Sequence, residues 1–321
     1  MKKIIFLAGC FLYGTMAFSE VMLTGRQMPL DAAYWILNKK GKAGKGEIIS
    51  NQAEVFCCLQ NRTDFCFGGC KDDEGAVWMK NREKGETTLT RPPESRMIYA
   101  LAYSEKEDAL YCAGTHVNLG GAFWEKKGDS DWGQPQILMN SSVIYSLAVD
   151  DKDRIFAGGL MGTHGKVWIK NQGEWNHGTN LNQAKEINTL TISGNSIFAG
   201  GKKNDLSGGE WEFKGEAWTA GNPLKFSVGI YTSITAKDGT VYFGGAGNEN
   251  KVIWENSGGF WNAVELKDCL ALYTLFCDLE GNLYAAGWNK QRKGRLWIKK
   301  RKKDWDEGTD IENCFVIRGI C

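Results

Sequence analysis

Tryptophan returns seven times at nearly constant spacing. Trp35, Trp78, Trp124, Trp168, Trp211, Trp254 and Trp297 are separated by 43, 46, 44, 43, 43 and 43 residues. A glycine stands ten residues before each: Gly25, Gly68, Gly114, Gly158, Gly201, Gly244 and Gly287. A period of this size marks a repeated supersecondary unit, since each unit must bury its apolar faces against its neighbours. The 321 residues hold 40 glycines against 5 prolines, which suits many short strands joined by tight turns.

The unit that starts at Val143 shows the pattern most clearly. VIYSLAV (143–149) alternates and is rich in β-branched and aromatic residues, which predicts a strand. DDKD (150–153) is a turn, RIFAGG (154–159) a second strand and LMGTHG (160–165) a loop. KVWIK (166–170) is a third strand, and a fourth begins at Glu174-Trp175. First strands recur at 97–103, 186–192, 229–235 and 271–277. Second strands recur at 65–69, 110–114, 197–201, 241–245 and 283–287, and fourth-strand tryptophans at Trp132, Trp218, Trp261 and Trp305. Four short strands make one antiparallel sheet, and such sheets stacked radially make a β-propeller. Residues 21–25 and 32–36 match a second and a third strand with no first, while FVIRGI (315–320) is a strand left over at the other end. The expected fold is therefore all-β, a seven-bladed propeller of four-stranded antiparallel blades, closed where the C-terminal strand pairs with the N-terminal blade. The glycines are expected where neighbouring sheets approach, and the tryptophans in the wedge between sheets.

Second strands ending in Gly-Gly, then an aromatic residue in strand three and a tryptophan seven or eight residues on, resemble the kelch repeat. The resemblance spans residues 20–321 and implies a propeller that binds proteins, peptides or glycans. The kelch Tyr-Asp is replaced by Trp-x-Lys, as in Trp168-Ile169-Lys170, and DLEGNLYAAG (278–287) is similar to the Asp-x-x-Gly turn of bacterial sensor-type propellers. Enzymatic propellers carry marks that do not appear in this sequence. His116, His164 and His177 lack the spacing of copper ligands, and there is no sialidase Ser-x-Asp-x-Gly-x-Thr-Trp box, Gly-x-Ser-x-Gly elbow or metalloprotease histidine pair. Neither cofactor nor metal is expected. Cys66-x3-Cys70 has no second half to complete a zinc site.

Lys2 and Lys3, an apolar run from Ile4 to Phe18, and small residues Ala17 and Ser19 predict an export signal over residues 1–19, with 20–321 as a single propeller domain. Leu7-Ala8-Gly9-Cys10 resembles a lipobox, and lipidation at Cys10 is the alternative route. The protein is then periplasmic or secreted, with no transmembrane segment after processing, and monomeric. Export and a formal net charge of +1 make nucleic acid a poor partner. The nine cysteines beyond Cys10 cluster toward the two ends of the sequence, and disulfides bracing the ring closure are expected.

Two surfaces are candidates for binding. Loops between strands two and three gather on one face and carry His116, Asn118, His164, Asn204, Asp205, Asn248, Asn250, Asn289 and Arg292. Trp288 falls outside the repeat in such a loop, and amides beside an aromatic ring suit a peptide or glycan. On the opposite face the strand three–four turns are basic in four successive units. They hold Lys39, Lys40, Lys42 and Lys45; Lys80, Arg82 and Lys84; Lys126 and Lys127; and Lys299, Lys300, Arg301, Lys302 and Lys303. This crescent would suit anionic lipid or polysaccharide. The leading expectation is a binding module without catalysis. The alternatives are a lyase or hydrolase using carboxylates near the central channel, or a surface-association protein using the crescent.

Overall fold

The computed structural model describes residues 20–27 and 31–321. The expected export signal and Cys10 lie outside those residues. Seven antiparallel sheets make up the described chain, with one three-residue 3-10 turn at Asn248–Asn250. From the axis outward, blade I consists of Cys314–Ile320, Met22–Gln27, Asp31–Ile36 and Glu47–Ser50. In the same order, blade II is Ala53–Gln60, Asp64–Lys71, Glu74–Asn81 and Thr87–Thr90; blade III is Ser95–Ser104, Ala109–His116, Gly120–Lys127 and Gln136–Ile137. Blade IV is Val143–Val149, Ile155–Met161, His164–Asn171 and Glu174–Trp175, and blade V is Ala184–Ser193, Ser196–Lys203, Gly208–Lys214 and Ala217–Trp218. Blade VI is Ser227–Thr235, Val241–Gly247, Lys251–Ser257 and Phe260–Glu265; blade VII is Cys269–Cys277, Leu283–Asn289, Gly294–Lys299 and Thr309–Asp310. In blades IV and V the outer strand is broken, and a second piece (Thr179–Asn180, Asn222–Pro223) pairs with the same third strand.

The ring closes as the sequence predicts. Leu23 faces Ile320, Thr24 faces Gly319 and Gly25 faces Ile317. Met22 and Cys321 exchange backbone hydrogen bonds of 2.8 and 3.0 Å. Hydroxyls stitch neighbouring innermost strands together: Ser146 Oγ accepts from Leu190 N at 2.9 Å, and Thr189 shares a 2.6 Å bond with Ser233. The seam between blades VII and I uses the same device, with Thr274 Oγ1 accepting from Ile320 N at 3.1 Å. Closure therefore rests on a backbone ladder and needs no covalent brace. Among the described residues, Cys57, Cys58, Cys66, Cys70, Cys112, Cys269, Cys277 and Cys314 carry free thiols where the sequence predicts disulfides. Burial pushes the Cys66 and Cys112 thiols up, away from the reactive thiolate.

The repeated tryptophans are core, and five of their indole N–H groups have a second task. Trp124, Trp168, Trp211, Trp254 and Trp297 are buried and donate to the carbonyls of Pro93, Met139, Asn182, Lys225 and Lys267, at 2.8–3.0 Å. Each acceptor lies in the connection between blades, so the tryptophan fixes that connection on the body of the sheet. Without this bond a buried N–H and a loop carbonyl would both lose a partner.

The glycines call for a correction. In every blade one second-strand glycine lies against the backbone of the innermost strand: Gly25, Gly69, Gly114, Gly159, Gly201, Gly245 and Gly287. A β-carbon there would overlap the carbonyl oxygen of Val316, Glu54, Met97, Val143, Glu186, Gly229 or Ala271, respectively. Counting ten residues back from tryptophan picks Gly68, Gly158 and Gly244 in three blades. There the hairpin between strands two and three differs by one residue, and the count slides. Gly68, Gly158 and Gly244 do face the next blade, against Ile98, Ile187 and Leu275. The other four expected glycines instead admit a backbone carbonyl of their own blade.

That carbonyl belongs to a bulge. The pairing of strands one and two slips by a residue between Val55 and Cys57, Ile98 and Ala100, Ile144 and Ser146, and at the matching place in the other blades. Gly114→Ala should therefore destabilise the protein by roughly 3 kcal/mol or more, as overpacking against rigid backbone does. Gly162 has open space and only a left-handed φ of 57° to satisfy, so Gly162→Ala should cost about 1 kcal/mol. Urea unfolding midpoints of the two variants check the order.

Candidate functional site

The bulges decide what faces the axis. The extra residue in each innermost strand is Phe56, Tyr99, Tyr145, Asn188, Tyr231, Tyr273 or Arg318, in ring order from blade II round to blade I. All seven are half-buried, on strands that contact one another in a closed cycle. They form a collar around the channel. Phe56 and Tyr99 lie 5.0 Å apart between ring centroids, Tyr99 and Tyr145 5.5 Å, and Tyr231 and Tyr273 5.8 Å. Asn188 Nδ2 donates to Ile230 O at 2.9 Å, and the Arg318 guanidinium stands 4.3 Å from the Tyr273 ring centroid. The sequence holds a signal for this collar that the tryptophan period does not reveal. In each innermost strand the residue after Val55, Ile98, Ile144, Ile187, Ile230, Leu272 or Ile317 is the collar residue.

Carboxylates stand beside the collar. Glu186 accepts from Asn188 Nδ2 at 3.3 Å, and Glu54 pairs with Arg26 at 3.3 Å. The collar hydroxyls are held protonated. Burial, then Glu186 and Tyr99, pushes Tyr145 up to about 12. Burial first and Glu186 second raise Tyr231; burial is also the main cause for Tyr99 and for Tyr273, where Arg318 works the other way.

Over blade I, at one mouth of the channel, an open cleft of about 200 Å³ is lined by Arg26, Glu54, Val55, Trp288, Phe315, Val316 and Arg318. A second hollow of about 450 Å³ adjoins it across Phe315 and includes Arg292, Lys293 and Asp310. Trp288 donates its Nε1 hydrogen to Phe315 O at 2.9 Å and meets the Tyr273 and Phe315 rings edge to face. Two of the sequence candidates, Trp288 and Arg292, thus lie on either side of one aromatic residue, Phe315, that the repeat pattern does not single out.

The other candidates are spread around the rim, and several hold their own turns. Strands two and three pair almost to their tips, so His116, His164, Trp288 and Asn289 are strand residues and not loop residues. His116 is 6% exposed. Its Nε2 lies 2.9 Å from Glu94, and its Nδ1 accepts from the backbone N–H groups of Asn118 and Leu119. Asn289 is fully buried, accepts from Gln291 N and Lys293 N, and donates to Asp310. The Asp205 carboxyl is held below its ordinary range by the Ser207 hydroxyl and N–H. Asn118, His164, Asn204, Asn248 and Arg292 are exposed, with Asn250 half-buried.

These loops and the blade connections share a face. Val117, Asn204, Asn248 and Lys290 donate backbone N–H to Glu94, Gln183, Phe226 and Asp268, the residue just before each innermost strand. Exposed apolar side chains gather on this face: Val117, Leu119, Met139, Leu206, Val228 and Leu270. On the opposite face, blades VII, I, II and III are contiguous, as the basic crescent requires. Its charge is partly offset: Lys299 pairs with Glu255 at 3.7 Å, Lys127 with Glu125 at 3.2 Å, and Lys126 bonds Ser130 O. Lys40, Lys45, Lys84 and Lys300 to Lys303 are exposed. Among the described residues no helix is long and apolar enough to cross a membrane.

No protein-family model matches the sequence, and no curated protein matches it significantly. Solved structures do match in shape. The BP39L lectin from Burkholderia pseudomallei aligns with a TM-score of 0.70 at 9% identity, over 91% of this chain and 94% of the lectin. The periplasmic gluconolactonase PpgL of Pseudomonas aeruginosa aligns at 0.68 and 12%, over 93% and 98%. The WD40 propeller domain of Doa1 aligns at 0.64 and 11%, over 94% and 90%. At such identities the likeness is one of fold alone, that of the seven-bladed propeller.

The raised collar hydroxyls make a pH prediction. An unfolded tyrosine titrates near pH 10. A folded pKa above that value leaves stability untouched below about pH 10 and lowers it above, since the unfolded chain gives up its proton first while the native state still holds it. For a group that is neutral when protonated, this linkage favours unfolding as pH rises: the unfolded state binds fewer protons, so stability falls from about pH 10 toward about 12. Alkaline titration of phenolate absorbance should show these hydroxyls ionising only with unfolding, and Tyr145→Phe should lessen the alkaline loss of stability.

Proposed function

We propose that this protein is an exported binding propeller without chemistry of its own, which recognises a protein, peptide or glycan through the face that carries the loops between strands two and three. The observation that carries this reading is the mouth of the channel on that face, where Trp288 and Phe315 line one cleft with Arg318, whose guanidinium stands over the Tyr273 ring. Aromatic rings and arginine are the residues on which binding energy concentrates. Exposed apolar side chains around the same rim extend the contact surface. The site stands on strand ends of a stiff ring, so little ordering cost falls on binding. Two of the structures of similar shape are a lectin and an enzyme, and the fold accommodates both kinds of protein.

A screen against peptide and glycan arrays tests the proposal. Trp288→Ala should weaken any interaction by roughly thirtyfold, the usual effect of removing an aromatic anchor, and Arg292→Ala by less. Binding that survives both changes would place the contact elsewhere. Turnover of an array glycan that Glu186→Gln abolishes would make the protein an enzyme instead.

The contiguity of four basic blades favours a second reading, attachment to anionic lipid or polysaccharide by the opposite face. Binding to anionic vesicles should then fall steeply between low and high salt, and Lys300→Glu with Lys302→Glu should abolish it.

A further inference from the structure

We infer that the cleft over blade I binds a carboxylate, with Arg318 as its anchor. This rests on the proposal that the channel mouth on this face takes a ligand. Within the cleft, Arg26 pairs with Glu54 at 3.3 Å, whereas Arg318 has no carboxylate within ion-pair distance among the described residues. Its charge rests over the Tyr273 ring, which steadies the cation without using its N–H donors. Arg26, in the same cleft, also has a buried Nε with no acceptor among the described residues. The Arg318 donors thus stand in the cleft with no carboxylate to answer them, beside an Arg26 that Glu54 already meets. A carboxylate matches a guanidinium with two parallel hydrogen bonds.

Charge and size narrow the ligand further. Two guanidiniums against the single carboxylate of Glu54 leave the cleft one positive charge in excess. That balance suits a monoanion better than a doubly charged phosphate, which Glu54 would repel. Trp288, Phe315, Val55 and Val316 supply apolar walls, and about 200 Å³ admits a body the size of one sugar or one amino acid. The ligand is therefore a small acid group on a compact body, such as a uronic acid unit or a terminal amino-acid carboxylate.

Calorimetric titration of the full chain tests this with two matched pairs. They are methyl galacturonoside against its methyl ester, and N-acetylphenylalanine against its amide. At least one acid should bind at least roughly tenfold more tightly than its neutral partner, the value of a charge-assisted hydrogen bond. Arg318→Gln should erase that preference and Arg318→Lys keep part of it, with thermal melting to confirm that both variants fold. Preference for the sugar acid alone identifies an acidic glycan, and preference for the amino acid alone a peptide terminus. Equal binding of acid and neutral probes overturns the carboxylate while leaving a ligand-binding face in place. Binding of neither acid also overturns it, and the array screen then judges the face independently. An acid preference unchanged in Arg318→Gln would remove Arg318 as the anchor.

Discussion

In every blade the backbone of one second-strand glycine lies against a carbonyl oxygen of the innermost strand. That contact leaves no room for a side chain, and it is what lets the innermost strand carry an extra residue. The bulge then turns one side chain per blade into the channel. A backbone requirement of the second strand thus sets the chemistry of the axis, although the glycine is not itself in contact with the channel side chain. Collar residues can vary from aromatic to amide to guanidinium because the bulge is made elsewhere.

Much of the fold could be read from the sequence because it rests on periodic local patterns. The tryptophan spacing, the alternating strands and the orphan strand at 315–320 all report nearest-neighbour geometry that repeats. The site was only partly legible. Trp288 and Arg292 stood out by breaking the pattern, yet their partners Phe315 and Arg318 come from the last strand of the chain, and only closure fixes their place in the ring. His116 and Asn289 looked like exposed polar residues and are in fact internal caps of their hairpins. Nothing in a one-dimensional reading separates a polar group facing solvent from one bonding the backbone two or four residues on. The cysteines misled for a similar reason. Their grouping toward the ends was real, but a seam already made by main-chain bonds and the Thr274 hydroxyl does not call for disulfides.

The face proposed for binding is held from below. In blades III to VII the buried indole grips a connection between blades, and in blades III, V, VI and VII that connection also receives the backbone N–H of a loop between strands two and three. The loops therefore sit on a frame fixed by the core, which keeps their exposed groups at constant separation. Such a frame favours recognition by preformed shape over recognition by folding around a ligand.

Blade I joins residues from the two extremes of the polypeptide, and its innermost strand also supplies Phe315 and Arg318 to the cleft. Until residues 314–320 insert, the ring stays open and the mouth of the channel lacks its cation and one of its aromatic walls. A chain that lost residues 314–320 would lose circular integrity and the proposed anchor Arg318 in the same event. Ring closure and cleft assembly are thereby one event: only a molecule in which strand 314–320 has docked presents a finished cleft.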